Sequence, residues 1–65
     1  MLKCNIVYTS RDLVGNNLLV KAEIFQEGEL FNRLLDVIEV TVIDNASMPD
    51  EDIQDYVLNL YNSQL

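Results

Sequence analysis

Residues 37–63 read VIEVTVIDNASMPDEDIQDYVLNLYNS. The hydrophobic period changes inside this stretch, and the change decides the fold class. Val37 to Ile43 is the most β-branched segment of the chain. Ile38, Val40 and Val42 form one alternating set; Val37, Glu39, Thr41 and Ile43 form the other. Alternation of this kind reads as a strand. Asp44-Asn45-Ala46 ends it. Ser47-Met48-Pro49-Asp50-Glu51-Asp52 then reads as a helix start, with Ser47 as the cap, Pro49 in the first turn and three carboxylates at the positive end of the helix dipole. Ile53, Tyr56, Val57, Leu60 and Tyr61 follow at the spacing of one apolar helical face and predict a helix to Ser63. On that wheel Leu58 lies about 140° from Ile53, among Glu51, Asp55 and Asn62.

Upstream, the period is two. Leu2 to Thr9 alternates, with Leu2, Cys4, Ile6 and Tyr8 on one face and Lys3, Asn5, Val7 and Thr9 on the other. Ser10-Arg11-Asp12 and Gly15-Asn16-Asn17 read as a loop, because Asn and Gly tolerate reversals. Leu18 to Gln26 is a second strand, with Leu18, Val20, Ala22 and Ile24 facing one way and Leu19, Lys21, Glu23 and Phe25 the other. Glu27-Gly28-Glu29 reads as a tight reversal. Leu30 to Asp36 fits either the front of a long third strand or a short helical turn. Strand is favoured, since so few residues make a poor helix.

The predicted fold class is α+β: a three-stranded antiparallel β-meander followed by one C-terminal α-helix packed on one sheet face (βββα). The 65 residues suffice for a single small domain, residues 1–65. One helix covers only one face of such a sheet. The other face is expected to expose several of Val7, Leu19, Phe25, Leu35, Val37 and Ile43 and to serve as an interface, unless Leu13-Val14 or Leu30-Phe31 fold over it.

A chain of this length buries only about 60% of the surface its unfolded form exposes, and such domains commonly rely on a disulfide, a metal or a partner chain. Cys4 is the sole Cys and there is no His, so neither an internal disulfide nor zinc-finger spacing is available. Self-association is the remaining device, and a homodimer is expected. Val, Ile and Leu make up 22 of 65 residues, the composition of a folded chain despite a net charge of -7. Met1-Leu2-Lys3-Cys4 does not read as a secretory start, and no apolar run approaches the roughly 20 residues of a membrane span. With one unpaired Cys, a cytoplasmic location is expected.

The lack of His removes the Ser-His-Asp and Cys-His routes to an activated nucleophile. Gly15 and Gly28 stand alone, so no phosphate loop is present. Asp50, Glu51, Asp52 and Asp55 lack the alternating pattern of a calcium loop. No enzymatic activity, no cofactor and no metal site are expected, and Cys4 is expected to be a buried, inert thiol.

Charge is unevenly distributed. Residues 1–22 carry a net +2, and residues 23–65 carry Arg33 against ten carboxylates. That field repels nucleic acid and anionic lipid and favours a basic partner. In size, acidity and its seven Asn the chain resembles small accessory proteins of bacteriophages and other mobile elements. The resemblance is compositional, carries no motif, and implies a protein that binds and inhibits a host enzyme, polymerase or defence nuclease. The expected function is therefore an acidic protein-binding module, an inhibitor or modulator. Its sharpest form is a nucleic-acid mimic whose carboxylates Glu39, Asp44, Asp50, Glu51, Asp52 and Asp55 stand in for phosphates, with Leu58 as an apolar anchor. The competing reading is a self-assembling structural protein pairing its sheets edge to edge or face to face, with strand one as the exposed edge.

Overall fold

The computed structural model describes residues 1–64. Three strands, β1 (Leu2–Asp12), β2 (Asn17–Gln26) and β3 (Arg33–Val42), form one antiparallel sheet in the order β1-β2-β3, and a C-terminal helix, α1 (Asp50–Ser63), packs on it. The βββα meander is the predicted one. Leu30 to Asp36 contains no helix; β3 begins at Arg33, and residues 27–32 connect the strands. Gly28 is required in that connection, because a Cβ there would lie 2.5 Å from the Phe31 carbonyl oxygen.

β2 is the central strand, and its predicted inner set is the heart of the core. Leu18, Val20, Ala22 and Ile24 are fully buried. Val40 and Val42 from β3 flank them, and Ile53 and Val57 close the core from the helix. Each fully buried Leu, Ile or Val side chain among them stabilises the fold by about 1.5–3 kcal/mol. The helix crosses the sheet obliquely. Its first turns border β1, with Asp50, Glu51 and Gln54 beside Asn5–Thr9. Its last turns border β3, with Leu60, Tyr61 and Gln64 beside Ile38–Thr41.

Two irregularities correct the predicted faces. In β1, Ile6 pairs with Ala22 but Tyr8 pairs with Lys21, so Val7 is an extra residue. A bulge of this kind flips every side chain beyond it. Tyr8 therefore leaves the set of Leu2, Cys4 and Ile6 for the open face, while Thr9 and Arg11 turn to the helix side. The strand also continues to Asp12, through the Ser10-Arg11-Asp12 segment expected to be loop. In β3, Asp36 pairs with Ile24 and Leu34 with Phe25, which makes Leu35 the extra residue.

The turned Arg11 fastens the loop ahead of the helix. Its guanidinium donates to the Ala46 carbonyl and to Asp50 Oδ1, the latter at 3.3 Å. From the β1–β2 turn, Asn16 Oδ1 accepts the Ala46 N–H at 3.2 Å and Asn17 Oδ1 accepts the Asp44 N–H at 3.3 Å. Asn16 and Asp44 both hold left-handed backbone, φ 56° and 62°, which Asn and Asp tolerate better than most residues.

The helix start is also corrected. Helical residues begin at Asp50, and Pro49 is the N-cap with extended backbone and no side-chain capping bond. Ser47 is not the cap, because a proline disfavours helical backbone in the residue before it and pushes the start downstream. The N–H groups of Asp52 and Ile53 each donate to the Pro49 carbonyl at 3.0 Å. Met48, just before the cap, packs on the core that holds Ile53, the arrangement of a hydrophobic staple.

Candidate functional site

The residues predicted to meet a partner divide between two sides of the molecule. Asp50, Glu51, Asp52 and Asp55 are exposed on α1. Asp44 is exposed in the loop before it, where Asn17 holds its backbone. Glu39 is exposed too, but it pairs with Lys21 on the sheet face away from the helix. The six carboxylates therefore do not form one continuous array.

Leu58 is a correction. It is half-buried and packs against the core rather than standing free among acids. Tyr56, predicted inside, is 38% exposed. Both departures have one cause. An oblique helix presents a slightly different face to the sheet at each turn, so the buried stripe drifts from Ile53 and Val57 toward Leu58 and Tyr61 and leaves Tyr56 outside.

The helix carries four carboxylates and no cation. Three of them lie in its first turn, where the N-terminal end of the dipole stabilises negative charge. Arg11 approaches Asp50 at 3.3 Å, while the Asp50 side chain stays 89% exposed, so that carboxylate remains largely open to a partner. Beside this acidic end an open groove of about 510 Å³ runs along the β1 edge, lined by residues Asn5 to Thr9, Tyr8 included, with Asp50, Glu51 and Gln54 across from them. The bulge at Val7 forms one wall. The groove has two carboxylates and no cation in its lining, which suits a Lys or Arg side chain. Sequence periodicity had no means of locating it, because it depends on where the helix lies across the sheet.

Among the described residues, no group of three or more potential ligands is close enough to hold a metal ion, and no helix is long and apolar enough to cross a membrane. Cys4 is half-buried beside the core, and burial pushes its thiol above the ordinary value.

Among the described residues, nothing covers the opposite face of the sheet. Leu19, Val37, Leu34 and Leu35 are all exposed there. Leu13, Val14, Leu30 and Phe31, the segments named as its alternative cover, are themselves exposed, Leu30 by 94% and Phe31 by 74%. No protein-family model, curated protein or solved structure matches the chain.

Proposed function

We propose that the chain is an acidic protein-binding module that inhibits or modulates a partner by occupying a basic surface on it. The observation that carries this reading is the cation-free helix, whose Asp50 and Glu51 border the groove along β1. Long-range attraction from the net charge of -7 speeds encounter, and the groove receives a basic side chain at contact. In the sharpest form the helix mimics nucleic acid. The surface then consists of Asp44, Asp50, Glu51, Asp52 and Asp55, without Glu39, which faces the other way. A source in a bacteriophage or another mobile element fits a chain this small and acidic.

The test is capture from nuclease-treated bacterial lysate on the tagged protein, eluted with stepped salt. A stoichiometric nucleic-acid-handling protein released by moderate salt, or competed off by DNA, is the expected result. The double variant Asp52→Lys, Asp55→Lys changes exposed side chains only and should abolish that capture while the circular dichroism spectrum stays the same. Full capture by the folded double variant would remove Asp52 and Asp55 from the binding surface, and full capture by Asp50→Lys with Glu51→Lys would remove the groove as well.

A further inference from the structure

The uncovered sheet face carries a pattern of its own. Along β2 its outward residues are Leu19, Lys21, Glu23 and Phe25, in order apolar, positive, negative, apolar. Read backwards, the apolar positions coincide and the charges exchange sign. Both lysines of the chain lie on this face, since Lys3 pairs with Phe25 and Tyr8 with Lys21 in the sheet register. Within the paired rows from Lys3 to Ser10 they balance Glu23 and Glu39. A chain of net charge -7 repels its own copies over most of its surface; on this face the lysines offset the two glutamates, and the exposed Leu19, Leu34 and Val37 lie around them. The ion pairs among the described residues are Lys3–Glu27 and Arg11–Asp50, which leaves Lys21 outside them.

We propose that this face binds a second copy of the chain, the two sheets stacking face to face about a two-fold axis that lies between them, perpendicular to the strands, at the level of Ala22. This inference is independent of the acidic-helix reading. The axis sets Lys21 over Glu23 of the second copy and Glu23 over its Lys21. Leu19 meets Phe25 in the same way, and Leu34 comes over Thr41. A two-fold parallel to the strands does the opposite: it stacks Lys21 on Lys21 and Glu23 on Glu23. Like charges across an interface are strongly unfavourable, so the perpendicular axis is selected. Aligned sheets rotate by about 30°. Lys21 and Glu23 sit closest to the axis and are displaced least by that rotation. Glu23 is already held in place, because the Asn5 amide donates to its Oε1 at 3.0 Å. Glu39 lies on the outer strand, where its carboxylate reaches solvent.

The size is adequate for a modest dimer. Three strands at a spacing of about 4.8 Å, over about eight residues of 3.3 Å each, give a face near 14 by 26 Å. Counting side-chain relief, two copies bury on the order of 1,000 Å², the lower bound for a specific interface.

Sedimentation equilibrium of the untagged protein from micromolar to millimolar concentration tests the proposal. The wild type should show a reversible monomer–dimer equilibrium. Lys21→Glu and Glu23→Lys should each weaken it by roughly tenfold or more. Glu23→Lys is the sharper of the two, because it moves the net charge of -7 two units toward zero and bulk repulsion alone would then favour association. Mixing the two variants should restore a one-to-one dimer, since positions 21 and 23 of one variant, both acidic, then face positions 23 and 21 of the other, both basic. The doubly exchanged chain, Lys21→Glu with Glu23→Lys, should dimerise as the wild type does and decides the matter if a single variant fails to fold. A wild type that stays monomeric at about 1 mM, a scale at which even weak complexes form, overturns the proposal. So does a dimer indifferent to both single changes, or a mixture of folded variants that does not associate.

Discussion

Removing the Arg11 guanidinium separates two contacts that look alike in the structure and differ in energy. Arg11 donates to the Ala46 carbonyl in a part-buried setting and to Asp50, whose side chain is 89% exposed. A hydrogen bond from a charged donor to a protein carbonyl contributes about 1.5–3 kcal/mol. An ion pair with so exposed a carboxylate contributes about 0–0.5 kcal/mol, because solvent screens it. Arg11→Ala should therefore destabilise the fold by about 2–3 kcal/mol, nearly all of it from the carbonyl contact. In a chain of 65 residues each kcal/mol moves Tm by about 4–8 °C, so the midpoint should fall by on the order of 10 °C.

Asp50→Asn removes the pair but leaves the carbonyl contact. It should cost about 1 kcal/mol or less, part of that from the lost charge at the helix N-terminus. Arg11→Lys keeps the charge but loses the planar fork that reaches both acceptors, and should recover less than half of the lost stability. Urea and thermal unfolding followed by circular dichroism read all three variants. If Asp50→Asn costs as much as Arg11→Ala, or if Arg11→Lys is as stable as the wild type, the attribution to the Ala46 carbonyl is wrong.

Ile53→Ala should cost about 2–5 kcal/mol, a large share of what so small a fold possesses, whereas Tyr56→Ala should cost about 1 kcal/mol or less; equal effects in urea unfolding would place both on the buried stripe and contradict the oblique helix. Burial holds the Cys4 proton to higher pH in the folded chain than the ordinary value of 9.0. That contribution to stability is intact below pH 9.0 and declines as pH rises through the higher folded value. The alkylation rate of native Cys4 should accordingly inflect above pH 9.0, and an inflection at or below it would show the thiol to be solvated.

What the sequence made legible follows from where its periodicity is undisturbed. Leu18, Val20, Ala22 and Ile24 alternate without a break, and all four are fully buried. The change of period after Val42 marked the helix, and the β-branching of residues 37–43 marked β3. Legibility failed where a single residue changes the count. Val7 is an ordinary β-former, and nothing in Ile6-Val7-Tyr8 announces a bulge, yet it reverses the facing of Tyr8, Thr9 and Arg11. Leu35 does the same in β3. The acidic surface was legible as composition but not as shape. Strand parity alone placed Glu39 in a set without saying which side of the sheet that set faced. Leu58 was misplaced because a helical wheel assumes one fixed direction of burial along the whole helix. These are properties of cross-strand register and layer packing, which residues distant in sequence determine together.

The bulge at Val7 links the two proposed surfaces. It turns Arg11 under the helix to fasten the loop that orients the acidic end, and it turns Tyr8 onto the open face beside Lys21. Acidic helix and balanced sheet face thus become opposite sides of a thin molecule. Stacking two copies through their open faces leaves both helices outermost, in the order helix, sheet, sheet, helix. With layers about 10 Å apart the helix axes lie about 30 Å from one another and face away from each other. A single basic surface then meets one helix at a time. A dimer of this geometry should bind two partner molecules, one on each side, giving two chains per two partners. Native mass spectrometry of the saturated complex, with the partner captured from lysate, reads that ratio. Lys21→Glu should halve that assembly to one chain with one partner, at the same one-to-one ratio, without weakening the individual contact, because the substitution lies on the other side of the sheet from the helix. A saturated wild-type complex holding two chains on one partner would contradict the stacking, since it requires both acidic helices to reach the same surface.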